Sequence, residues 1–176
     1  GKDFSAILKA HIYSPMFEMS ELDSLKIENK RTERRSTSET GSKGERIAAE
    51  FLVRNGYRLV MSNFTVPIGR NNNGAQVKGE IDIVALDGET LCFIEVKTRR
   101  NDEFTGPLTS VDLHKQRVVT RSARMYRRLF AIGDMRYRFD VVTVIDDGQS
   151  EPRIEIFKNY WTEGKFKKRI WADGAY

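Results

Sequence analysis

A chain of 176 residues, 39% of them hydrophobic, is sized for one compact domain plus an appendage. No run approaches the roughly 18 apolar residues of a membrane span, no charged-then-apolar leader is visible, and the single Cys92 rules out an internal disulfide framework. These features predict a cytoplasmic protein, and the net charge of +5 permits a polyanionic partner without requiring one. Taken in chain order, residues 1–40 mix both signs of charge with Ser and Thr and keep no period, as expected of a flexible or loosely helical extension. The ordered domain is expected to span residues 41–161, with a basic tail over 162–176. Ser42 and Glu45 form a capping-box pattern, Ile47, Ala48, Phe51 and Leu52 repeat at helical spacing, and Asn55-Gly56 closes the helix. YRLVMSNFTVP then reads as a bent strand, and IGRNNNGAQVK as a polar loop.

Two strands follow around Asp87-Gly88, a strong hairpin signal. From about Thr109 to Phe130 runs a long helix, for which Thr109 and Asp112 offer a second capping box. RFDVVTVID is a fourth strand, and RIEIFK a fifth after the Asp-Asp-Gly turn. Helix, three strands, helix and two strands is the expected order.

The hairpin carries the informative residues. Both of its strands are flanked by apolar side chains, as in a sheet covered on two sides, yet they hold Glu80, Asp82, Glu95 and Lys97. Strand side chains alternate between faces, so Asp82 shares a face with Val84 and Leu86, and Glu95 and Lys97 share one with Leu91 and Phe93. If Leu86 pairs with Leu91, Asp82 falls opposite Glu95; a slipped register brings Glu80 opposite Glu95 instead. In either register Asp82, Glu95 and Lys97 converge far from the turn. Facing carboxylates repel, and burying them unpaired costs more still. A divalent cation such as Mg²⁺, which favours one or two carboxylates with waters and phosphate oxygens, removes the conflict. The bland alternative is an exposed sheet end at which Lys97 neutralises Glu95.

Asp82, twelve intervening residues and then Glu95-Val96-Lys97 resemble the PD-(D/E)XK nuclease signature. GERIAAEFL, NGYRLVMSN, KGEIDIVALDG, FIEVKTR, Gly106-Pro107, Val111 with Lys115, and RFDVV narrow the resemblance to the YraN family, a bacterial group similar to archaeal Holliday junction resolvases. The likeness covers about residues 41–161; Ile81 replaces the usual Pro before the first motif Asp, and the Asn71-Asn72-Asn73 stretch looks like an insertion. It implies an α/β, restriction-endonuclease-like αβββαβ core, a mixed sheet of four or five strands flanked by helices. It also implies that Asp82, Glu95 and the Val96 backbone carbonyl bind Mg²⁺ or Mn²⁺. Lys97 would then orient the attacking water. Glu45 matches an acidic residue that relatives supply from the first helix, against the plainer role of closing the capping box.

The second long helix adds charge. Arg117, Arg121, Arg124 and Arg128 are spaced 4, 3 and 4 and form one stripe. Lys115 lies about 160° from that stripe at 100° per residue, and so points inward, toward the carboxylates or a bound phosphate. With Arg99 and Arg100 beyond the motif, the stripe would contact phosphates without reading sequence.

Three functions fit these features. A metal-dependent endonuclease acting on branched or structured DNA, in repair or recombination, is the leading expectation, with DNA favoured over RNA and a homodimer suited to a symmetric junction. The second is a nucleic-acid-binding module whose site is silent or activated by a partner. The third is an interaction protein that docks through residues 1–40.

Overall fold

A computed structural model describes residues 37–100 and 111–166. Residues 1–36 of the expected extension, the Gly106-Pro107 step and most of the basic tail therefore lie outside the described residues. The elements are α1 (Thr37–Arg54), β1 (Arg58–Arg70), β2 (Gln76–Asp87), β3 (Thr90–Arg99), α2 (Leu113–Leu129), β4 (Tyr137–Ile145) and β5 (Arg153–Trp161), followed by a 3₁₀ turn at Glu163–Phe166. One sheet holds all five strands in sequence order. The β3–β4 pair is parallel and the other three are antiparallel, so the sheet is mixed, as a restriction-endonuclease-like core requires.

Each helix covers one face. Ala48 and Leu52 of α1 pack with Tyr57, Ile83, Ala85, Cys92, Ile94, Val142 and Val144. On the opposite face Val119, Ala123 and Tyr126 of α2 meet Val84, Leu86, Leu91, Phe93, Phe139, Val141 and Trp161. β3 is therefore buried from Leu91 through Val96, which is why its sequence is an almost unbroken apolar run. Each large side chain withdrawn from water here stabilises the fold by about 1.5–3 kcal/mol.

The hairpin register is Leu86 opposite Leu91 and Asp87 opposite Thr90, the first of the two expected alternatives. Gly88 takes a φ of 57° in the turn, where the absence of a Cβ removes the strain. At the far end of this turn region a charged network seals the sheet. The guanidinium of Arg138 donates to the fully buried Asp140 and to Asp87, which also accepts from Lys158 at 2.8 Å. Asp140 thus serves the fold, away from the carboxylate cluster.

Several boundaries differ from the sequence expectations. α1 starts at Thr37, so Ser42 lies within the helix and is not its cap. α2 starts after Asp112, whose carboxylate accepts from the Lys115 backbone N–H at 2.7 Å; Asp112 is the cap itself, not the closing residue of a box begun at Thr109. IGR and QVK belong to β1 and β2, leaving only residues 71–75 as the loop. Val66 and Ile68 alternate there with exposed Thr65, Pro67 and Gly69, but the Asn and Gly residues at the tip give the arm the composition of a loop. Of the expected tail, Glu163–Phe166 is folded, because Glu163 pairs with Arg124 at 2.6 Å and Phe166 packs against the α2-side core.

Candidate active site

The β2–β3 ladder ends at Ile83 opposite Ile94. Beyond that pair the Val96 backbone N–H bonds the Asp82 carboxylate at 2.8 Å. A side chain has replaced the ladder acceptor, so Asp82 reaches into the gap between two parting strands. In an antiparallel pair a residue's N–H and C=O face the same neighbouring strand. The Val96 carbonyl therefore faces this gap too. Glu95 follows the face of Phe93, toward α2, and is 1% exposed; Asp82 is 8% exposed.

Two lysines close on this pair. Lys97 Nζ lies 2.9 Å from Glu95 Oε1. From the first turn of α2, Lys115 Nζ lies 3.1 Å from Glu95 Oε2 and 3.7 Å from Asp82 Oδ1, so the inward orientation expected of it holds. Distance alone makes the Lys115–Glu95 contact an ion pair, but Oε2 has no aligned hydrogen-bond donor, and a buried carboxylate oxygen in that state is costly. Burial, and then the charge of Asp82, hold the Glu95 carboxyl above its ordinary range against the pull of the two lysines. For Lys115, burial opposes the charged form, but Asp82 and Glu95 outweigh it and raise its pKa.

Glu45 completes the cluster from the other helix. Burial, followed by the nearby Asp82, raises its pKa to about 7, opposed by a side-chain hydrogen bond from Asn63. Gly44 makes this approach feasible: a Cβ there would collide with the Thr98 side chain, so only glycine lets α1 pass this close to the end of β3. The site role considered for Glu45 thus has a physical basis, whereas the capping-box role does not. Glu80 is exposed but close enough to raise Glu45 and Lys115 further.

Among the described residues, no three His, Cys, Asp or Glu side chains form a ready-made metal cage. The Lys115 ammonium occupies the space between Asp82 and Glu95. The donor set fits a hard cation that keeps most of its waters: two carboxylates, one with an unsatisfied buried oxygen, and a backbone carbonyl facing the same gap. Lys115 would have to move aside, and its side chain is 29% exposed, so it has a route out.

The expected arginine surface is only partly available. Arg117, Arg121, Arg124 and Arg128 are all exposed on α2. Arg121, however, donates to the Ile68 carbonyl of β1, and Arg124 is tied to Glu163. Arg117 sits over the Phe166 ring at 5.7 Å. Arg100 is exposed just past β3, and the Arg99 carbonyl accepts from the Asp146 N–H at 2.8 Å. Asn63 and Gly44 were not anticipated as site residues. An Asn within an apolar strand and a Gly within a helix were the only signals for them.

No helix among the described residues is long and apolar enough to cross a membrane. The model of the uncharacterised protein family UPF0102 matches residues 44–144, which include all five clustered side chains. A UPF0102 protein of Chlorobium limicola is 38% identical over 117 residues, 66% of this chain and 83% of the relative. One from Paenarthrobacter aurescens is 40% identical over 115 residues, covering 65% and 87%. Another, from Pseudomonas aeruginosa, is 36% identical over 130 residues, covering 73% and 96%. With a family match over more than half its length and relatives nearly spanned by it, the chain belongs to the UPF0102 family, the YraN group whose motifs its sequence carries.

Proposed function

We propose that the protein is a Mg²⁺- or Mn²⁺-dependent endonuclease that hydrolyses phosphodiester bonds in branched or otherwise structured DNA. The observation that carries this reading is the gap between β2 and β3, where Asp82 and the buried Glu95 converge with Lys97 and Lys115. Asp82, Glu95 and the Val96 carbonyl would hold the cation, with Glu45 as a further carboxylate. Bound there, the cation would lower the pKa of a water and neutralise charge on the phosphorane. Lys97 Nζ orients that water for attack on phosphorus. Lys115 Nζ, released from the carboxylates, stabilises the negative charge that develops on the non-bridging oxygens. Water adds to phosphorus, the bond to one ester oxygen breaks, and that oxygen leaves as an alcohol after taking up a proton. Arg100, Arg117 and Arg128 supply phosphate contacts that recognise shape and not sequence.

One observation favours a second reading, a nucleic-acid-binding module with a silent or partner-activated site. Lys115 ion-pairs with both carboxylates from the space a metal ion would take. Junction, flap, linear and single-stranded substrates incubated with Mn²⁺ or Mg²⁺ separate the two, using an Asp82→Ala/Glu95→Ala variant as control. Cleavage by the wild type alone supports the nuclease. Equal products from both proteins remove it, and salt-sensitive binding without cleavage selects the second reading.

A further inference from the structure

A left-handed backbone in mid-strand is a conformation that residues other than glycine adopt at a cost, and Asn is among the few that tolerate it. Asn63 has a φ of 52° in the middle of β1. The neighbouring pairs, Ser62 with Ile83 and Phe64 with Ile81, put it across from Asp82. At this point both strands exchange faces. Met61 and Phe64, three apart, both pack on the α2 side, and so do Val84 and Ile81. In an uninterrupted strand, residues three apart point to opposite sides. The turn of the backbone at Asn63 therefore accompanies the step that takes Asp82 out of simple alternation, next to the gap it bridges.

The side chain adds a second contribution. The Asn63 carboxamide lies near the Glu45 carboxyl on α1 and favours its charged form. Asn159, with a φ of 55° in β5, offers a contrast: there the backbone N–H bonds Asp140 at 2.8 Å, a contact that any residue able to take that φ would make. Glycine at position 63 would supply the backbone angle more cheaply, but not the carboxamide.

We propose that Asn63 is a positioning residue of the site, its left-handed backbone setting Asp82 across from it and its amide aiming Glu45 at the same point. The proposal rests on the metal-dependent hydrolase reading for its catalytic consequence, but the coupling between Asn63 and Glu45 stands apart from it. In this role Asn63 acts through Asp82 and Glu45 and does no chemistry of its own.

The test uses the full chain with Asn63→Gly, Asn63→Asp, Glu45→Gln and the Asn63→Gly/Glu45→Gln double variant. Glycine and aspartate both accept the backbone angle, so these variants are expected to fold. Asn63→Gly is expected to lower kcat roughly 10- to 100-fold, the usual scale for a residue that orients a ligand, with KM for DNA unchanged. Asn63→Asp, which faces Glu45 with a like charge, is expected to lose at least as much. In the Glu45→Gln background Asn63→Gly should cost nothing further. Asn63→Gly cleaving at the wild-type rate, or losses that multiply in the double variant, would overturn the inference while leaving the nuclease intact. If the wild type cleaves nothing, the hydrolase reading fails by itself and melting temperatures decide the positioning role. Shifts that fail to add in the double variant support a coupled Asn63–Glu45 pair, and additive shifts overturn it.

Discussion

Lys115→Met tests the electrostatics of the site without touching a carboxylate. Methionine keeps the unbranched stem and removes only the ammonium. At an effective dielectric of about 20, a unit charge 3.1 Å from Glu95 Oε2 is held by roughly 5 kcal/mol of gross attraction. Removing one partner of a buried pair costs about 3–5 kcal/mol, because the other charge is left behind. Lys97 still serves Glu95 from its other oxygen, so the lower end of that range, about 3 kcal/mol, is expected. For a domain of this size that is roughly a 10 °C fall in Tm at pH 7.5. Glu95 has a raised pKa in the folded state, and losing Lys115 raises it further. The penalty is therefore present above that folded value and shrinks as pH falls toward the unfolded value, where both states bind the proton. Differential scanning calorimetry at pH 7.5 and pH 5, with and without Mg²⁺, reads each part. The variant should recover much of its loss at pH 5, and Mg²⁺ should raise its Tm more than that of the wild type, because no ammonium competes for the gap. A loss equal at both pH values and insensitive to Mg²⁺ would refute the account.

Glu45, with a pKa of about 7 in the folded protein, should make Mg²⁺ affinity and cleavage rise as pH passes through 7; calorimetric titrations and rate profiles should flatten there in Glu45→Gln. The same shift has the opposite sign for stability. A carboxyl raised in the folded state favours folding at low pH, and that contribution is lost between about 4.5 and 7, so metal-free Glu45→Gln should show a smaller decline in Tm over this window. Gly44→Ala should push α1 off β3 and cost about 1–3 kcal/mol by urea denaturation, with partial recovery on adding Thr98→Ala. Cys92 is fully buried, with its thiol pushed up to about 12, so its modification by a thiol reagent should proceed at the rate of unfolding; fast labelling of native protein would contradict the packing.

The parts of this fold written as periodicity could be read directly. Around the Asp87-Gly88 turn the sequence allowed two registers, both of which bring Asp82 and Glu95 to one end of the hairpin, and the structure takes the one with Leu86 opposite Leu91. The inward side of α2 followed from the 3.6-residue period and delivered Lys115. Features set by single backbone angles were not legible. Alternation groups Ile81 with Ile83, whereas Ile81 packs with Val84, because the strands switch faces beside a left-handed Asn63 that no apolar pattern encodes. The arm formed by Ile68–Arg70 and Gln76–Lys78 was hidden for another reason: largely exposed and with Asn and Gly at its tip, it carries loop composition in a strand geometry. Glu163 illustrates a third limit, since its pairing with Arg124 joins segments 39 residues apart in a region that composition alone marks as tail.

The bond from the Val96 nitrogen to Asp82 makes one amide proton a built-in gauge. Its neighbours in β3 are secured by main chain, and their exchange with deuterium tracks opening of the sheet. This one depends on where a single carboxylate points. Whatever draws Asp82 toward a ligand loosens that proton and shifts its resonance while the rest of the strand stays silent, so a two-dimensional NMR spectrum would detect occupancy of the site without any knowledge of the substrate.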